Sequence, residues 1–154
     1  MNFKTEDDYV NYFKSNELYA TDSMEDILNK ICFNYNNNLI IDYKIFKKVA
    51  SPLTYDAMFK HIENAVRCIV TNFSNVYVHI SMKSLSITDI DSHRLFLTNL
   101  INYYNANYPN ILNAGYIYLA PSIFVQVFSI FSVFIDKDTR KKVNIVEKKK
   151  QINL

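Results

Sequence analysis

Catalytic or metal-binding chemistry in this 154-residue chain would have to be assembled from three histidines, two cysteines and fifteen carboxylates. His61, Glu63 and Cys68 fall in one helical stretch, but without the spacing of a ligand set. There is no HExxH, no CxxC and no Cys/His grouping with zinc spacing. The chain has a single glycine, whereas a Walker A loop, a GxGxxG turn and a GxSxG elbow each need several. No nucleophile stands beside a base at a recognisable interval. Neither an enzyme nor a metal protein is expected. His79 reads as a hydrogen-bonded core residue and His93, near a helix start, as a surface one.

The unusual chemistry lies elsewhere, in GYIYLAPSIFVQVFSIFSVFIDKDTRKK, Gly115 to Lys142. Its first twenty-one residues carry no charge, and basic residues follow at once. Pro121 divides the stretch into a strand before it and a helix after it. A helix over 122–135 spans ~21 Å at 1.5 Å per residue, short of the ~30 Å bilayer core. It is too short to span. Gln126, Ser129 and Ser132 recur at every third position among Phe124, Val127, Phe128 and Phe131. Such a helix sits deep in a core or covers something apolar that is not protein.

The elements that must position it follow from caps and periodicity. Thr5-x-x-Asp8 and Ser23-x-x-Asp26 mark helix starts, giving helices near 5–15 and 23–34, the second broken by Asn36 to Asn38. LIIDYKIF, 39–46, has the content of a strand or strand pair, and Ser51-Pro52 of a turn. Met58, Ile62, Ala65, Val66, Ile69 and Val70 have helical spacing. Val76 to Met82 alternates, with Val76, Val78, Ile80 and Met82 on one side. Asp91 or Ser92 caps a further helix that ends before Pro109, and Ala114 to Leu119 is the next strand. Helix and strand in alternation predict an α/β domain with parallel pairing.

Composition sets the remaining bounds. A chain this long builds a core without staples, and 49% hydrophobic with 21% charged residues is globular. MNFKTEDDYV lacks a basic region followed by an apolar one, so no signal peptide is expected. Cys32 and Cys68 are expected to be reduced thiols of a cytosolic protein. The net charge of +2 is unevenly placed. Residues 1–30 set three lysines against seven carboxylates, and 136–150 set seven basic residues against three acidic. A basic end favours a phospholipid headgroup, a membrane surface or nucleic acid. The run lacks interleaved aromatics, so nucleic acid is not expected.

The ordered run YPNILNAGYIYLAPSIFVQVFSIFSVFIDKDTRKKVNIV, preceded by SMKSLS at 81–86, resembles the CRAL-TRIO (Sec-fourteen-like) lipid-binding domain family. In that pattern Tyr-Pro after a helix leads into a strand ending in Ala-Pro. An aromatic helix follows, then Asp-x-x-Thr, a basic residue and a last strand. The resemblance covers about residues 75–146. It implies a mixed, largely parallel β-sheet with helices on one face, and on the other an apolar lipid pocket closed by a gate helix, here 122–135. It also implies a single domain over 1–154, with a helical N-terminal remnant at 1–38, the lipid-binding core at 39–146 and a basic tail at 147–154.

Carried onto this sequence, the resemblance implies a pocket floored by Val76, Val78 and Ile80 and flanked by Tyr116 and Tyr118. Phe124, Val127, Phe128 and Phe131 would line or gate it. Lys142 stands where phosphoinositide-binding members contact the headgroup phosphate, with Arg140 and Lys141 beside it. Asn110 replaces an acidic residue after Tyr-Pro, Ser81 replaces an aspartate, and Val76 and Val78 replace two hydroxyls used for phosphatidylcholine. The implied function is cytosolic, peripherally membrane-associated lipid binding or transfer. One phospholipid or similar amphiphile, such as a phosphoinositide, would be held with no other cofactor. Partners would be anionic membrane surfaces and a second copy through the gate helix. The alternative is a protein-interaction or regulatory module with no bound lipid.

Overall fold

A computed structural model describes residues 2–147 of the chain. Two capping boxes open it. Thr5 accepts from the Asp8 amide while the Asp8 carboxylate takes the Thr5 amide, starting α1 (Glu6–Ser15). Ser23 and Asp26 do the same for α2 (Met24–Ile31). Each satisfies two amide groups that a helix start otherwise leaves unpaired. The helix expected to reach 34 stops at Ile31, because Cys32 turns extended. Cys32–Tyr35 is instead strand β1, folded antiparallel onto β2 (Asn38–Asp42). Asn36, at φ 52°, makes the turn between them, a conformation asparagine adopts more easily than most residues.

The strand expected over 39–46 is cut at Asp42. The Asp42 carboxylate accepts from the Lys44 amide at 3.0 Å and starts α3 (Tyr43–Val49). Thr54 then leads into α4 (Tyr55–Asn72), which ends at β3 (Val76–Ser81). The next helix, α5 (Ile87–Asn107), is capped by Ser86 rather than by Asp91 or Ser92. It leads to β4 (Leu112–Tyr118), α6 (Phe124–Phe131), a 3-10 turn over Ser132–Phe134, α7 (Lys137–Lys141) and β5 (Val143–Ile145). Asp136 accepts from the Thr139 amide at 2.7 Å and caps α7.

The five strands lie in the order β1-β2-β3-β4-β5, antiparallel at the first step and parallel at the other three. Each parallel step moves in the same direction across the sheet. Right-handed crossovers then put every crossover helix on the same face. The core follows that rule. One cluster joins Leu39, Val76 and Ile117 of the strands to Met58, Ile62 and Ile69 of α4, Phe96 of α5, and Phe124, Val127 and Phe131 of α6. A second cluster, on the opposite face, joins Ile40 and Tyr118 to Phe3, and to Tyr9 and Phe13 of α1. Helix α6, the expected gate, therefore shares its face with α4 and α5, and α1 covers the opposite one.

Candidate functional site

The apolar segment after Pro121 does not form one helix over 122–135. Helix α6 has eight residues, about 12 Å of rise. The serines at every third position explain the change: Ser129 Oγ donates to the Gln126 carbonyl at 2.7 Å and Ser132 Oγ to that of Ser129 at 2.9 Å. Hydroxyls bonding back three residues compete with the backbone ladder and tighten the turn. The Asn105 side chain of α5 holds the Phe134 carbonyl at 2.6 Å, fixing the 3-10 turn against α5. Among the described residues no helix is long and apolar enough to cross a membrane.

Register places the expected floor. Val78 lies opposite Leu39 and Gly115, and Gly115 opposite Val143; Ile80 lies opposite Ile41 and Ile117. These side chains share the face that carries α4, α5 and α6. Helix α4 covers β1 and β2, whereas α5 contacts α6 and the 3-10 turn. Coverage is therefore uneven. Val76 is buried, but Val78 and Ile80, on the central strand of five, are only partly buried, as is Val143. Phe124, Val127 and Phe131 are buried on the same face and Phe128 is partly so. The structure thus brings together seven of the expected residues: Val76, Val78, Ile80, Phe124, Val127, Phe128 and Phe131.

Tyr116 and Tyr118 are not with them. Tyr116 is opposite His79 in the register, and both tyrosines belong to the cluster beneath α1. The two-residue period of a strand sends them to the face opposite Val78 and Ile80. There His79 is enclosed between rings, stacked on Tyr9 at 3.9 Å between centroids and beside Tyr116 at 5.2 Å. Its Nδ1 faces the Tyr118 hydroxyl at 2.8 Å and its Nε2 the Asn38 Oδ1 at 2.9 Å. Burial lowers its pKa to about 4, so the ring is neutral at pH 7. His79 is a satisfied core group.

Of the basic residues, Lys142 stands just before β5, where its carbonyl accepts from the Gly115 amide at 2.9 Å. Arg140 is exposed on α7. Lys142 is half-buried, and its Nζ donates to the Leu112 carbonyl at 2.9 Å. Val125, Val133 and Phe134 are exposed apolar side chains, Val133 at 77%. Of the basic tail expected at 147–154, residues 148–154 lie outside the described residues.

Other titratable groups have structural partners. His93 was expected on the surface, but α5 starts five residues before Ser92 and carries His93 inward, where Tyr55 bonds its Nδ1. Buried Glu63 accepts from Tyr108 at 2.7 Å and Tyr104 at 3.2 Å. Cys32 and Cys68 are free thiols, the first buried and the second exposed. Two clefts, of about 590 and 210 Å³, open elsewhere, around Asn16, Lys30 and Phe33 and around Asn34 and His61. Gly115, Ile117 and Val143 lie on the same face as Val78 and Ile80, and no local pattern in the sequence marks them. Once β4 and β5 are paired, their parity with Val78 and Ile80 reveals them.

The fold is thus an α/β sheet domain with an apolar seam between its parallel half and an uncharged helix. Residues 39–154 match the CRAL/TRIO domain model, and the chain belongs to that family. Over 130 residues it is 25% identical to the phosphatidylinositol transfer protein SFH5 of Candida glabrata, covering 79% of this chain and 42% of that protein. The crystal structure of Sfh5 superposes with a TM-score of 0.67 at 17% identity, over 88% of this chain and 52% of that one. The chain spans about half the length of these relatives or less.

Proposed function

We propose that the protein binds a phospholipid or similar amphiphile between the β3–β4 half of its sheet and helices α5 and α6, and moves it between membranes. The carrying observation is the incomplete cover of Val78 and Ile80. A central strand beneath a helical layer ordinarily buries that face, and here Val78 and Ile80 are only partly buried beneath the layer that holds α6. Acyl chains suit such a seam, since each buried CH₂ contributes about 0.8 kcal/mol. Family membership and the likeness to a phosphatidylinositol transfer protein of Candida glabrata support the same reading.

The headgroup end falls to Arg140 and Lys142. Arg140 is free to meet a phosphate; Lys142 reaches one by exchanging the Leu112 carbonyl for it. Val125, Val133 and Phe134, with Lys137, Arg140 and Lys141 close in sequence, form the surface that meets an anionic bilayer. There each basic residue is worth ~1 kcal/mol. Self-association would use the same surface, and light scattering of the free protein tests it. No covalent chemistry belongs to this function.

The second reading, an interaction module without lipid, draws on the burial of Phe124, Val127 and Phe131, which close the face by themselves. Transfer of fluorescent phosphatidylinositol from donor to acceptor vesicles separates the two. Lipid transfer is expected for the wild type, with a loss of about tenfold or more when Arg140→Glu and Lys142→Glu are combined. A wild type that transfers nothing supports the interaction module. A double variant with full transfer removes the headgroup role.

A further inference from the structure

The only glycine of the chain lies inside a strand, where glycine weakens pairing and leaves no side chain to pack. Two ordinary reasons for it are missing. Gly115 has no positive φ, so its backbone is one that any residue adopts. Nor is it crowded, because a Cβ built there would meet a single neighbour within 4 Å, Val143 Cγ2 at an ordinary 3.9 Å. The register irregularity between β3 and β4 lies at Val76/Tyr77, opposite Leu112 and Ala114. Gly115 is itself paired in register with Val78, so it is not the bulged residue. Glycine in a strand also marks the close approach of something else. Its row across the sheet is Leu39, Val78, Gly115 and Val143, three branched apolar side chains and one gap. Gly115 is itself shielded from solvent, while Val78 and Val143 on either side are only partly buried.

We infer that this row is a groove across the floor of the site, in which Gly115 makes room for an acyl chain of the bound amphiphile between Val78 and Val143. Gly115 then sets how deeply the chain enters, and so which chains are accepted. The row carries no charge, which suits a hydrocarbon rather than a headgroup. It adjoins Lys142, whose carbonyl receives the Gly115 amide at 2.9 Å, so the groove and the basic end belong to one path. The inference rests on the lipid-binding reading above.

The test compares wild type, Gly115→Ala and Gly115→Ile as full chains. Each is incubated with vesicles of phosphatidylcholine containing phosphatidylinositol, and bound lipid is counted by native mass spectrometry. Isoleucine suits a strand and fills the gap. Both variants are expected to melt no lower than wild type. Gly115→Ile should load at least about tenfold less lipid, the effect of displacing two or so buried methylenes; Gly115→Ala should fall between. A folded Gly115→Ile that loads like a lipid-bound wild type overturns the groove alone. A Gly115→Ile that cannot fold overturns it as well, since the space would then not be free. A wild type that takes up no lipid overturns the groove together with the reading beneath it.

Discussion

Acidification should destabilise this protein chiefly through His79. Its pKa is about 4 in the fold against 6.5 for the ordinary side chain, and burial is the cause. Above pH 6.5 both folded and unfolded chains carry the neutral ring. As pH falls from 6.5 towards 4 the unfolded chain takes up a proton that the folded one refuses, so stability is lost across that window. The full difference corresponds to about 3 kcal/mol, of which about 2 kcal/mol falls between pH 7 and pH 5. For a chain of this size that is roughly 4–8 °C in Tm.

His93 acts in the same direction, its pKa lowered by burial and partly restored by Asp89. Buried Asp42 acts oppositely, because desolvation raises its carboxyl and protonating it relieves the fold. The assay is thermal melting followed by circular dichroism at pH 7 and pH 5, for wild type and His79→Phe. The variant should be about 1–3 kcal/mol less stable at pH 7, since the Tyr118 hydroxyl and Asn38 carbonyl lose their partner. Its melting point should change much less with pH. A His79→Phe protein that keeps the whole wild-type loss between pH 7 and pH 5 would refute the assignment.

Three further outcomes are expected. Phe13 is fully buried and ties α1 to the sheet, so Phe13→Ala should cost about 3–5 kcal/mol in urea unfolding. Replacing Glu63 with alanine should cost about 1–3 kcal/mol by the same measurement, because the Tyr104 and Tyr108 hydroxyls lose their acceptor. A thiol reagent should label Cys68 in the native protein and reach Cys32 only on unfolding. Burial leaves Cys32 inaccessible and raises its pKa to about 12.

Local chemistry made parts of the fold legible. The capping pairs Thr5/Asp8 and Ser23/Asp26 state their helix starts outright, and the alternation of Val76 to Met82 states a strand. Residues 39–46 misled because β-branched and aromatic content runs unbroken from β2 into α3. The signal that divides them is one carboxylate, Asp42, capping the next helix. The cap expected at Asp91 or Ser92 placed His93 at an exposed helix start, whereas Ser86 caps α5 and leaves His93 more than a turn inside it. Tyr116 and Tyr118 were misplaced for a different reason. Which way a strand faces depends on its register with a neighbour, and the pairing of His79 with Tyr116 is a long-range fact that no local pattern encodes. The same register places Gly115 between Val78 and Val143.

Lipid binding by this protein requires that an amphiphile occupy the seam between the sheet and α6. Native mass spectrometry of the purified chain, followed by organic extraction and lipid identification, asks this directly. One phospholipid or similar amphiphile per chain is the predicted result. An unliganded mass, unchanged after incubation with mixed phospholipid vesicles, would contradict it.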